Sequence, residues 1–138
     1  MDDLDQQIQA FLSGAPHAVL GASTDRQKYG NKVLRCFLQH NRPALPVNLT
    51  ATQIEGQIAY PDIASLPEGV HGVSIITPPP VTEKLVKEVI AAGIRHVWMQ
   101  PGAESQAAID TVVEAGLNCI AGGPCLLVAL GYHEDDPS

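Results

Sequence analysis

Apolar positions along this chain switch between helical and extended spacing, and glycines or prolines mark most of the switches. Leu4, Ile8, Phe11 and Leu12 fall at helical spacing and predict a first amphipathic helix. His17-Ala18-Val19-Leu20-Gly21 is a short apolar run stopped by glycine, the pattern of a buried parallel strand. Val33, Leu34, Phe37 and Leu38 form the next helical stripe, with Asn31 as its expected N-cap. Ala44-Leu45-Pro46-Val47 reads as a strand, and Pro43 and Pro46 direct it to a sheet edge. From Gly56 to Pro67 the pattern supports only a short strand (Gln57 to Ala59) and one helical turn.

The second half repeats one unit. Gly72 to Ile76 is a buried strand; Leu85, Val86, Val89 and Ile90 then mark a helix that Thr82 can cap and Gly93 stops. His96 to Gln100 is a strand, Ala108, Ile109, Val112 and Val113 a helix ending at Gly116, and Leu117 to Ala121 the last strand. Leu126, Leu127, Val128 and Leu130 suggest a short closing helix, and Glu134 to Ser138 a frayed end. Strands separated by single helices, with no hairpin signals, imply right-handed crossovers. The expected fold is therefore α/β, a Rossmann-like doubly wound parallel sheet of about five strands flanked by helices.

Composition narrows the function. The 138 residues suit one domain, residues 1–138, with a core that needs no staples. No apolar run approaches the roughly 20 residues of a membrane span. The acidic start, Met1-Asp2-Asp3-Leu4-Asp5, is the opposite of a signal peptide. Cys36, Cys119 and Cys125 form no CxxC pair and read as reduced thiols, so a cytoplasmic location is expected. The five histidines show no metal-binding spacing, and no metal site is expected. A net charge of −7 argues against a nucleic-acid partner. Yet Arg26, Lys28, Lys32, Arg35 and Arg42 lie in a stretch, Arg26 to Ile54, that holds no acid. Such an island suits a small anionic ligand or a solvated basic helix face equally well.

A doubly wound sheet binds ligands beyond the carboxyl ends of its strands, where strand order reverses. Four loops are candidate walls there. They are Gly21-Ala22-Ser23-Thr24 with Tyr29-Gly30-Asn31, then Val47-Asn48, Thr77-Pro78-Pro79-Pro80, and Gln100-Pro101-Gly102. Small residues before a helix start let backbone amides approach a phosphate. A dinucleotide fingerprint fails, because Ser23 replaces its second glycine and Asn48 stands where an acid would hold the ribose. No P-loop occurs either. The missing acid leaves room for a ligand with extra phosphate charge.

The loops together resemble one family. G-A-S at Gly21 to Ser23, P-V-N at Pro46 to Asn48, Tyr60-Pro61, T-P-P at Thr77 to Pro79 and V-W-M-Q-P-G at Val97 to Gly102 are similar to coenzyme A-binding domain proteins. These are stand-alone relatives of the N-terminal domain of the succinyl-CoA synthetase alpha subunit. The resemblance implies coenzyme A or an acyl-CoA across the carboxyl edge. It implies that Gly21, Ala22 and Ser23 hold the pyrophosphate, with Lys28, Tyr29, Gly30 and Asn31 completing the cradle. Val47 and Asn48 would border the adenosine, Thr77, Pro78 and Pro79 its other side, and Gln100, Pro101 and Gly102 the pantetheine. Two positions depart from the family pattern: Leu49 replaces a proline, and Gly122-Gly123-Pro124-Cys125 lacks the usual arginine before the cysteine.

No nucleophile–base pair, GxSxG elbow or paired carboxylates mark a catalytic centre. The expectation is thus a non-catalytic ligand-binding module whose partner is a small nucleotide. The alternatives are an NAD(P)-type or other nucleotide-dependent enzyme with a degenerate fingerprint, and a regulatory domain that has lost its ligand. No membrane partner is expected, and the sequence leaves any protein partner unknown.

Overall fold

The computed structural model describes residues 3–134. In chain order the elements are α1 (Asp3–Leu12), β1 (His17–Leu20), α2 (Tyr29–Gln39), β2 (Ala44–Val47), β3 (Gln53–Ile54) and β4 (Gln57–Ile58). A 3-10 turn (Ile63–Ser65) leads to β5 (Gly72–Ile75), α3 (Pro79–Ala91), β6 (His96–Met99), α4 (Gln106–Glu114), β7 (Asn118–Ile120) and α5 (Leu126–Leu130). Five strands form one parallel sheet in the order β2-β1-β5-β6-β7, as the alternating pattern predicts. Of the end read as frayed, only Glu134 lies within the described residues. No helix among the described residues is long and apolar enough to cross a membrane.

Strand alternation sorts the core into two layers. Ala18, Leu20, Val73, Ile75, Val97 and Met99 point to one face and pack under Val86 and Val89 of α3 and Ala108 and Val112 of α4. Val19 and Trp98 point to the other, against Phe11 of α1, Leu34 and Phe37 of α2 and Leu126 of α5. All these side chains are fully buried, which accounts for the near-continuous apolar strands. Gly72 is small for a reason: a Cβ there would meet His96 and the Phe11 ring at 3.0 Å.

The amino edge of the sheet terminates α1. A helix leaves its last carbonyls without partners. Here the His71 Nε2 meets Ala10 O at 2.9 Å, the His17 Nε2 meets Phe11 O at 2.7 Å, and Arg42 Nη1 donates to Leu12 O at 2.9 Å. Asn118 Nδ2 donates to Gln7 O at 2.9 Å. His17 and His71, with Arg42 and Asn118, thus form one device that seats a helix on the sheet.

Three local expectations are corrected. Asn31 does not cap α2; the helix begins at Tyr29 with Lys28 at the cap, and Asn31 lies inside its first turn. Thr82 does not cap α3, which starts at Pro79 behind Pro78, so Pro79 and Pro80 form a first helical turn rather than a free wall. There is also a hairpin: β3 and β4 pair antiparallel across Glu55 and Gly56. Both turn residues have positive φ, 49° and 80°, the conformation a two-residue hairpin turn requires.

Candidate functional site

In this strand order successive strands are added to one side of β1 and then, from β5 on, to the other, so the switch point lies above Leu20 and Ile75. Two adjoining clefts open there. One, of about 470 Å³, is lined by Gly21, Ala22, Ser23, Lys28, Tyr29 and Gly30 with Asn48, Ile76, Thr77 and Pro78. The other, of about 570 Å³, lies between the end of β2 and α3 and is floored by Leu20, Val47, Ile63, Val81 and Leu85. Gly21, Ala22, Asn48 and Thr77 belong to both.

The β1–α2 loop is held from behind. Asn31 Nδ2 donates to Ser23 O at 2.8 Å, and Asn48 Nδ2 donates to Ala22 O at 2.9 Å. With both carbonyls turned inward, the amides of Ala22 and Ser23 have no backbone or side-chain acceptor among the described residues. Ser23 Oγ accepts from Asp25 N at 3.0 Å and keeps its own proton to donate. Gly21 takes a φ of +98°, and a Cβ there would meet Ile76 and Thr77 at 3.2 Å. The loop thus presents donors at the positive end of α2, the arrangement of an anion site.

Asn48 also explains the failed fingerprint. Its Oδ1 accepts from Thr50 N at 2.9 Å and Ala51 N at 2.8 Å while Nδ2 holds the β1–α2 loop. A carboxylate lacks the donor that Ala22 O needs. The residue after β2 is therefore a brace, and its side chain is committed to the protein.

The basic island is mostly spent. Arg26 pairs with Glu55 at 3.4 Å, and Lys32 with Glu134 at 3.6 Å. Arg35 is only 6% exposed, so it belongs to no solvated helix face. Its Nε donates to Asn31 Oδ1 at 2.7 Å and its Nη2 to Arg26 O at 2.8 Å. Glu55 arrives from the β3–β4 turn to accept from Asn31 Nδ2 at 3.1 Å. The hairpin, α2 and the β1–α2 loop are thereby tied in one network that sequence spacing concealed. Of the five cations, only Lys28 lines either cleft.

Profile comparison with known families then decides the matter, because the CoA binding domain profile matches residues 16–131. The chain belongs to the CoA binding domain family. Among curated relatives it is 28% identical over 119 residues to an ADP-forming acetate–CoA ligase of Archaeoglobus fulgidus, covering 75% of this chain and 17% of that protein. Among solved structures, a conserved hypothetical protein of Pyrococcus furiosus is 34% identical with a TM-score of 0.80, covering 84% of this chain and 99% of that one. A Thermus thermophilus protein is 30% identical with a TM-score of 0.81, covering 93% and 96%. The chain spans about a fifth of the length of the curated relatives it matches, 17% and 20%, and nearly all of the small solved proteins.

Against the family expectation, Gly21, Ala22, Ser23, Lys28, Tyr29, Gly30, Asn48, Thr77 and Pro78 do meet at one cleft, and Val47 lines its neighbour. Asn31 stands behind the loop as a brace. Pro79 begins α3. Gln100, Pro101 and Gly102 line neither cleft. Gln100 is instead fully buried, its Oε1 accepting from Leu126 N at 2.9 Å and from the Tyr29 hydroxyl at 3.1 Å. It secures α5, and through Tyr29 the start of α2. The Tyr29 hydroxyl also meets Cys125 Sγ at 2.7 Å; burial, then this contact, push the phenol's pKa up. Burial pushes the Cys36 thiol up to about 11 and that of Cys119 to about 11, so both remain protonated.

Proposed function

We propose that this chain is a non-catalytic module that binds coenzyme A or an acyl-CoA at the switch point. The pyrophosphate lies over Gly21 to Ser23 at the start of α2, and no catalytic residue is assigned. The observation that carries the reading is the loop held from behind: two carbonyls tied back by Asn31 and Asn48, and the amides of Ala22 and Ser23 left without a protein acceptor among the described residues. Lys28 at the same helix end adds one positive charge. Family membership favours this ligand over a dinucleotide. Free thiols at Cys36, Cys119 and Cys125 support a reducing, cytoplasmic setting.

Isothermal titration with coenzyme A, acetyl-CoA and NAD tests the reading. Coenzyme A and its ester are expected to bind and NAD is not; a preference for NAD overturns the assignment. Ser23→Trp should abolish binding while leaving the thermal midpoint unchanged, because Ser23 sits at the cleft rim outside the core. Wild-type affinity in that variant would remove the loop from the site.

A further inference from the structure

The second cleft has a charge pattern opposite to the one the basic island suggested. We infer that it takes the adenosine of the ligand with its ribose hydroxyls free, so that a phosphate on that ribose weakens binding. The inference rests on the nucleotide reading above and specifies which members of that ligand class the site prefers.

Placement comes first. With the pyrophosphate over the Gly21 loop, the nucleoside side of a doubly wound site lies toward the end of β2. That is where the larger cleft opens, between Val47-Asn48-Leu49 and α3. Its floor of aliphatic side chains suits a flat base, and Leu49, 85% exposed at the rim, can lie over one.

Charge comes next. The cleft is lined by two carboxylates, Asp62 and Glu88, and by no lysine, arginine or histidine. Lys84 and Lys87, the cations of α3, line neither cleft, and Lys28 belongs to the phosphate-loop side. Arg26 and Lys32 are engaged by Glu55 and Glu134. Asp62 is fixed in place, because its Oδ1 accepts from Ser65 N at 2.9 Å as the cap of the 3-10 turn. An ionised carboxylate has about four acceptor sites, so capping one amide leaves Asp62 able to accept from hydroxyls. The acid that Asn48 cannot supply is thus provided from another loop. A carboxylate accepts hydrogen bonds from free ribose hydroxyls and repels a phosphate in their place.

Coenzyme A and dephospho-coenzyme A differ only by that phosphate, so titrating both into the intact protein is the test. Dephospho-coenzyme A is expected to bind roughly tenfold more tightly at about 0.05 M salt, with the gap shrinking at about 0.5 M as screening grows. Asp62→Asn keeps the cap and removes the charge, and Glu88→Gln removes the other. Each should narrow the gap chiefly by improving coenzyme A. Coenzyme A binding as tightly as, or more tightly than, its dephospho form at low salt overturns this inference and leaves the proposed function standing. Binding of neither compound overturns the proposed function itself, and the inference with it.

Discussion

Gly30→Ala is expected to lower stability by about 1–3 kcal/mol, although the same change inside a helix ordinarily gains about 1 kcal/mol. Gly30 is the second residue of α2, and an added Cβ would run into the carbonyl of Gly21, reaching Gly21 C at 3.0 Å and Ala22 Cα at 3.2 Å. These are backbone atoms, so no rotamer change relieves the clash. The loop must move off the helix start, and its amides leave the proposed phosphate position. Losing two charge-assisted hydrogen bonds of about 1.5–3 kcal/mol each weakens coenzyme A binding by more than about a hundredfold. Urea denaturation and titration calorimetry read the two effects separately. A variant with wild-type affinity and an unchanged or raised midpoint would show that the loop and helix do not depend on this close approach.

The same contact shows what was legible in the sequence. Gly30 and Ser23 lie too far apart for a dinucleotide fingerprint, yet the glycine does a similar job: it lets the helix start approach the loop. The strands were legible because each is buried on both faces, leaving apolar runs that end in glycine, proline or a polar residue. The site was legible to the extent that strand ends define it, which brought Gly21, Asn48 and Thr77 together. What was not legible depends on long-range pairing. Asn31 and Thr82 look like caps by spacing, but Asn31 bonds to Ser23 and Arg35, and Thr82 Oγ1 lies 2.8 Å from Thr77 Oγ1. The hairpin escaped notice because each strand has two residues and its turn is Glu-Gly rather than Asn-Gly. Glu55 then returns a negative charge to the acid-free stretch that it terminates. Counting charges along the chain located the island but could not show that Glu55 and Glu134 engage two of its cations.

Acid pH is expected to destabilise the fold steeply between 6.5 and 4, through the histidines beneath α1. His17 is fully buried, stacked between the rings of Phe11 at 4.5 Å and Phe37 at 5.0 Å. Phe11 O can only accept, so Nε2 carries the proton, and Nδ1 is a buried lone pair with no partner. Protonation would place an N–H and a charge there with nothing to receive them. Burial therefore holds the His17 pKa down, from 6.5 to about 4, and the nearby His71, Arg42 and His96 add repulsion. Burial also lowers His96, which stacks on His71 at 4.2 Å and accepts from Asn118 Nδ2 at 3.0 Å. At His17 the unfolded chain takes up its proton near pH 6.5, whereas the folded chain resists until near 4. The stabilising contribution is thus complete above 6.5, falls by about 1.4 kcal/mol per pH unit for His17 alone, and levels off below 4. Over the whole window the loss is roughly 3 kcal/mol, a large share of a small domain's stability. Urea midpoints at half-unit intervals from pH 7.5 to about 4 measure it. His17→Phe keeps an aromatic ring in the stack and cannot titrate, so it should be less stable than the parent at pH 7.5, where the bond to Phe11 O is lost, yet decline more gently toward acid. Parallel curves for the two proteins would show that His17 does not drive the acid transition.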